Sequence, residues 1–178
     1  MRRIVGWGAW FGHGVRVAAM AWLAAGCVST AALGTPALGA AASAAGDKPE
    51  FLSSKTTQER GYPFSDAVRA GDFLFLSGRV GDDPATGKVV PGGIEPESRQ
   101  ALRHIQETLE RNRSSLADVV KCTVFLSDIG EWPAFNAVYK EFFKAPYPAR
   151  SALAASGLAL GARVEVECVA YVPKRADK

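Results

Sequence analysis

Arg163-Val164-Glu165-Val166-Glu167-Cys168-Val169-Ala170-Tyr171-Val172 reads with a period of two. Val164, Val166, Cys168, Ala170 and Val172 fall on one face, and Arg163, Glu165, Glu167, Val169 and Tyr171 on the other. That alternation predicts a strand with one face in a core and a second face that carries two carboxylates. A sheet built around it needs partners, and the sequence on either side supplies them.

Upstream, Val119–Leu126 predicts another strand, and Ser151–Ala155 a short one between the two. Phe64–Val68 and Phe73–Val80 predict a hairpin turning through Arg69-Ala70-Gly71-Asp72, with Phe51–Ser54 as a short edge strand. Asp82–Gly93, with Asp-Asp-Pro, Thr-Gly and Pro-Gly-Gly, has loop chemistry.

Two segments change period. Glu95–Asn112 repeats Ala101, Leu102, Ile105 and Leu109 at helical spacing, with Glu95, Pro96 and Glu97 in the first turn where the helix dipole favours acid. Glu131–Phe143 carries an aromatic stripe of Trp132, Phe135, Tyr139 and Phe142. The expected fold is therefore α+β, a mixed sheet with two helices packed on one face. Its open face invites burial against other subunits.

Charge separates this domain from what precedes it. The chain has 178 residues, 48% hydrophobic and 22% charged, with 21 basic and 18 acidic residues for a formal charge of +3. That composition argues against disorder along the whole chain and against a polytopic membrane protein. Residues 1–46 hold Arg2, Arg3 and Arg16 and no acid, so residues 47–178 keep eighteen basic residues against eighteen acidic ones. A neutral domain gives no footing for a nucleic-acid partner.

The leader reads as an export signal: a basic start, the apolar run Val17–Cys27, and small residues after it. Leu23-Ala24-Ala25-Gly26-Cys27 resembles a bacterial lipobox, which makes Cys27 a candidate lipidation site. The expected location is the periplasm, as a soluble protein or a membrane-anchored lipoprotein. Ala31–Gly46 reads as a flexible tether. The division is thus leader and tether over 1–46 and a folded domain over 47–178, with its core at about 51–173. Cys122 and Cys168 sit in strand-like runs with no metal spacing, and are expected as buried free thiols.

Metalloprotease, Walker, dinucleotide and nucleophile-elbow signatures are absent. His104 is the domain's one histidine and is expected to be structural or on the surface. The sharpest constellation is Pro146-Tyr147-Pro148-Ala149-Arg150-Ser151, followed fifteen residues later by Glu165. Arginine's planar fork suits a small carboxylate, and a carboxylate on an adjacent strand could orient water. A surface salt bridge explains the pair equally well on pattern alone.

Further motifs run through the domain in order: Pro63-Phe64-Ser65-Asp66-Ala67-Val68, Phe75-Leu76-Ser77-Gly78, Asp83-Pro84-Ala85-Thr86-Gly87, Asp118–Leu126, Asn136-Ala137-Val138-Tyr139, Pro148-Ala149-Arg150-Ser151 and Val164-Glu165-Val166-Glu167. With them, Phe64 to Val172 resembles the Rid family (RidA/YjgF-like) of enamine and imine deaminases. The resemblance implies a chorismate-mutase-like fold, a homotrimer with active sites in clefts between subunits, and no metal or organic cofactor. It implies a 2-iminobutanoate/2-iminopropanoate deaminase-like hydrolase, converting 2-imino and 2-enamino acids of the 2-aminoacrylate type to 2-keto acids and ammonia. In it Arg150 clamps the substrate carboxylate and Glu165 assists water. Asn136, Phe64, Ser77 and Gly78 belong to the substrate site.

Three positions depart from the family pattern. Phe64 stands where tyrosine is frequent, Ala152 where cysteine is, and Arg79 where glutamine is. Two other functions compete with hydrolysis: a non-catalytic trimer binding small carboxylates, and an endoribonuclease. Neutral charge and a lone His104 weigh against the nuclease.

Overall fold

The computed structural model describes residues 48–173. The elements are β1 (Glu50–Leu52), α1 (Lys55–Glu59), β2 (Ala67–Ala70), β3 (Phe73–Leu76), β4 (Arg79–Val80), α2 (Ile94–Arg111), β5 (Val119–Leu126), α3 (Trp132–Phe142), β6 (Ala149–Ala154) and β7 (Val164–Tyr171). The expected leader, its tether and Cys27 lie outside the described residues.

The strands form one mixed sheet in the order β1-β2-β3-β7-β5-β6, with β4 also paired to β7. Every pairing is antiparallel except β5 with β6. The α+β class holds, and β7 lies inside the sheet, paired with β3, β4 and β5. Val164, Val166, Cys168 and Ala170 are fully or almost fully buried. They meet Leu102, Ile105 and Leu109 of α2 and Phe135 and Val138 of α3 in one core.

Among the described residues no helix packs on the opposite face. Pair by pair it carries Phe51, Val68, Phe75 and Val169 across four strands, then Phe73 beside Tyr171 with ring centroids 5.4 Å apart. Phe51, Phe73, Phe75 and Tyr171 are all exposed, Phe51 by 72%.

Four expectations change. The segment before β2 leaves the sheet at Phe64–Asp66, because Asp66 turns back to accept from the Ser54 amide at 2.6 Å and the Thr57 hydroxyl at 2.7 Å. That contact supports α1, a short helix capped by Ser54 and invisible to a periodicity argument five residues long. The turn of the hairpin tightens to Gly71-Asp72, with Gly71 at φ 58.

Phe73–Val80 breaks into two strands at Ser77-Gly78. Phe75 pairs with Val169 but Arg79 pairs with Val166, so one extra residue bulges there. The cysteines are the largest correction: Cys122 and Cys168 form a disulfide rather than remaining free thiols. They face each other directly across β5 and β7, with Cα atoms 4.1 Å apart, close enough for a bridge without moving either strand.

Candidate active site

Glu165 builds the first half of the site. Its strand partner is Val80 in β4, and its carboxylate leans over the bulge at Gly78. A Cβ at position 78 would stand 2.0 Å from Glu165 Oε1, so only glycine leaves room for the acid. Ser77 holds the bulge open: its amide donates to the Asp66 carbonyl at 3.0 Å and its hydroxyl to the Ser65 carbonyl at 2.6 Å. The Ser77 hydroxyl is therefore occupied by the backbone, and Ser77 shapes the site without lining it.

Glu165 opens into a cavity of about 370 Å3 that Phe64 and Gly78 also line. Tyr62 stacks on Phe64 at 5.2 Å between centroids and 14° between planes, giving the cavity an aromatic wall. Arg60 donates to the Tyr62 hydroxyl at 3.2 Å. Burial pushes the Glu165 carboxyl above the ordinary glutamate value, and the neighbouring Glu167 charge adds to it. A carboxyl shifted upward toward neutrality takes and returns a proton more readily.

His104 lies on the α2 side of this cavity with 3% exposure. Its Nε2 is 2.8 Å from the Asp82 carbonyl and 3.2 Å from the Gln100 amide nitrogen. The expected structural histidine is what the fold shows: it ties the loop after β4 to α2. Glu97 stands in the first turn of α2 as expected, and is also buried, where it accepts the Arg163 amide at 2.7 Å. Burial raises its pKa against that hydrogen bond.

Arg150 builds the second half, elsewhere. It lies on the helix side of the sheet in register with Cys122, donating from Nη2 to Asn136 Oδ1 at 2.6 Å. Its guanidinium sits 4.5 Å from the Tyr139 ring centroid and 5.7 Å from that of Phe135. Tyr139 is 4% exposed, and its hydroxyl has no hydrogen-bond partner among the described residues. Burial raises its pKa, with the Arg150 charge opposing. The fold thus brings Arg150 and Asn136 together against the rings of Tyr139 and Phe135.

The expectation that Arg150 and Glu165 occupy adjacent strands is corrected. β5 lies between β6 and β7, and Arg150 is level with Cys122 while Glu165 is level with Phe125. Two strand spacings and three residues of rise place their Cα atoms on the order of 14 Å apart. They also face opposite sides of the sheet. Sequence reasoning missed Tyr62, whose signal was its spacing from Phe64, and Asp66, whose anchoring role depends on the unforeseen α1. Among the described residues no group of three His, Cys, Asp or Glu side chains is placed to hold a metal ion.

Comparisons with known proteins bear on this arrangement. A family model described as Endoribonuclease L-PSP matches residues 57–172. The chain is 44% identical over 108 residues to a 2-iminobutanoate/2-iminopropanoate deaminase of Capra hircus, covering 61% of this chain and 79% of the relative. It is 42% identical over 109 residues to a RutC family protein of Pyrococcus horikoshii, covering 61% and 86% respectively. Among solved structures, a RidA from a Psychrobacter species matches with TM-score 0.60 and 34% identity, covering 62% of this chain and 89% of that one. A putative endoribonuclease from Thermotoga maritima matches with TM-score 0.60 and 37% identity, covering 64% and 88%.

Proposed function

The chain belongs to the Endoribonuclease L-PSP family, the RidA/YjgF family, and on that footing we propose that it is an imine deaminase hydrolysing 2-imino acids to 2-keto acids and ammonia. The observation that carries the reading is the half-buried Glu165 carboxyl, seated over Gly78 at the wall of a cavity and shifted toward neutrality. Relatives near this identity named 2-iminobutanoate/2-iminopropanoate deaminase support it.

The chemistry asks little of the protein. An iminium carbon is already electrophilic, so holding it beside a water supplies most of the help. Glu165 takes a proton as water adds to C2, giving a tetrahedral carbinolamine. It then returns the proton to nitrogen and takes the hydroxyl proton as the C2–N bond breaks, releasing ammonia and the keto acid. Arg150 binds the 2-carboxylate through its fork, fixed by Asn136 and by the ring of Tyr139.

Because Arg150 and Glu165 of one chain stand on opposite sheet faces, the working site combines Glu165, Gly78 and Phe64 of one copy with Arg150 and Asn136 of another. The exposed aromatic face of the sheet supports assembly, with a homotrimer as the proposed state.

Imine hydrolysis is measured by following decay of 2-iminopropanoate with purified protein. Acceleration by the wild type that is lost in Arg150→Ala supports the reading. No acceleration with any small imino acid, together with calorimetric binding of 2-ketobutyrate, replaces it with a non-catalytic carboxylate binder.

Export of the domain is proposed alongside. The basic, acid-free leader with its lipobox-like Cys27 supports it, and so does a buried disulfide, which persists in oxidising compartments. Fractionation of cells and lipid labelling of wild type against Cys27→Ser test it. Recovery in the cytoplasm, unlabelled, overturns it.

A further inference from the structure

Arg79, where the family resemblance leads one to expect glutamine, lines the same cavity as Glu165. It is held by a carboxylate that the rest of the fold has already immobilised. Asp66 is 3% exposed and accepts from the Ser54 amide and the Thr57 hydroxyl, and Arg79 Nη1 approaches its Oδ1 at 3.3 Å. Arg111, on α2, brings Nη2 to 3.8 Å from the other oxygen of the same acid. One buried carboxylate thus serves two guanidinium groups that both line the cavity, which leaves one positive charge in excess.

That excess is local to the Asp66 cluster: over the whole lining Arg60, Arg79 and Arg111 meet Asp82, Glu107 and Glu165. Asp82 and Glu107 also line the cavity, and each faces His104, at 3.4 and 3.6 Å. Arg60 adds a further cation, with hydrogen bonds to the Tyr62 hydroxyl and the Pro84 carbonyl. Arg79 spends one N–H on Asp66 and keeps the others of its fork for a ligand.

Position within β4 sets the reach. Glu165 is in register with Val80 and Arg79 with Val166, so the two charged groups lie on opposite sides of this short strand while sharing one cavity. A cavity of about 370 Å3 accommodates a substrate that carries a second anion beyond C2, toward Arg79.

We propose that Arg79, seated on buried Asp66 with Arg111 beside it, forms a distal anion subsite that makes 2-imino dicarboxylic acids of five or more carbons the preferred substrates. The inference rests on the imine-hydrolysis reading for its chemistry, and on the cavity alone for its binding preference.

The test uses the whole protein and measures two ratios. The first is kcat/KM for 2-iminoglutarate over that for 2-iminopropanoate, each imine generated in the assay by an amino-acid oxidase. The second is the calorimetric affinity for 2-ketoglutarate over that for 2-ketobutyrate. Wild type is expected to favour the dicarboxylate about tenfold or more in both, the scale of a charge-assisted hydrogen bond.

Arg79→Gln is expected to lower both ratios about tenfold, through KM in the first. Arg79→Lys, which keeps the charge and loses the fork, is expected to fall between. Each ratio comes from one preparation, so partial unfolding of a variant cancels. Ratios near one in the wild type, or unchanged by Arg79→Gln, overturn the subsite. If no imine is turned over, the hydrolysis reading fails and the affinity ratio alone decides the subsite.

Discussion

Arg150 and Glu165 stand on opposite faces of one sheet with β5 between them, level with Cys122 and Phe125 respectively. The two groups cannot reach one three-carbon substrate within a chain. Activity should therefore be recoverable from two dead proteins. Co-expressed or co-refolded Arg150→Ala and Glu165→Gln chains are expected to regain roughly a quarter of wild-type activity, the share of mixed interfaces with both groups intact. Assay of the mixture against each variant alone checks this. No recovery despite mixed assembly would return the site to a single chain.

Gly78 and Gly81 offer a matched pair. Alanine at 78 meets the flexible end of Glu165, at 2.0 Å from Oε1, so the carboxylate can swing away. Gly78→Ala is expected to unfold within a few degrees of wild type while losing most activity. Alanine at 81 meets backbone, 2.3 Å from the Glu97 carbonyl oxygen, which cannot move without α2. Gly81→Ala is expected to cost about 1–3 kcal/mol. Thermal unfolding beside an activity assay separates the two.

Two acids should show opposite pH behaviour. Burial alone would raise the Asp66 carboxyl, but hydrogen bonds from Thr57 and Ser54 and the Arg79 charge outweigh it and hold it low. Its stabilisation is present above the unfolded pKa and disappears as pH falls through the folded one. Asp66→Asn is therefore expected to destabilise by about 3 kcal/mol at pH 7, with the gap to wild type closing under acid conditions. Glu165 has the reverse sign: its pKa is raised on folding, so its ionised form costs stability at neutral pH. Glu165→Gln is expected to be more stable than wild type at pH 7, an advantage that fades on acidification. Denaturant titrations at several pH values read both.

The same shift bears on rate. If Glu165 takes the proton from water, kcat/KM must fall on the acid side with an apparent pKa above 4.5. A pH–rate profile with no such limb would remove Glu165 from that role.

The Cys122–Cys168 bridge closes a separation of 46 residues. Breaking it is expected to cost about 4 kcal/mol by loss of the constraint on the unfolded chain. Denaturant unfolding of Cys122→Ala/Cys168→Ala against wild type measures this. A difference below about 1 kcal/mol would show that packing around the paired strands carries the stability instead.

Some of this was legible without coordinates, because it depends on neighbours in sequence. The alternation of β7, the apolar stripe of α2 and the run of β5 follow from periods of 2 and 3.6, and each element formed where those periods place it. Arg150, Asn136, Glu165 and Gly78 could each be named from motifs, but that Arg150 touches Asn136 and Glu165 leans over Gly78 comes from the fold.

What the linear order could not contain is which strand lies beside which. Insertion of β5 between β6 and β7 put Arg150 and Glu165 on different faces, and the same register brought two distant cysteines into contact. Asp66 became an anchor for two arginines only once α1 folded over it. Periodicity is local and survives in any context. Pairing across a sheet is decided by burial summed over the whole domain, and only the tertiary structure performs that sum.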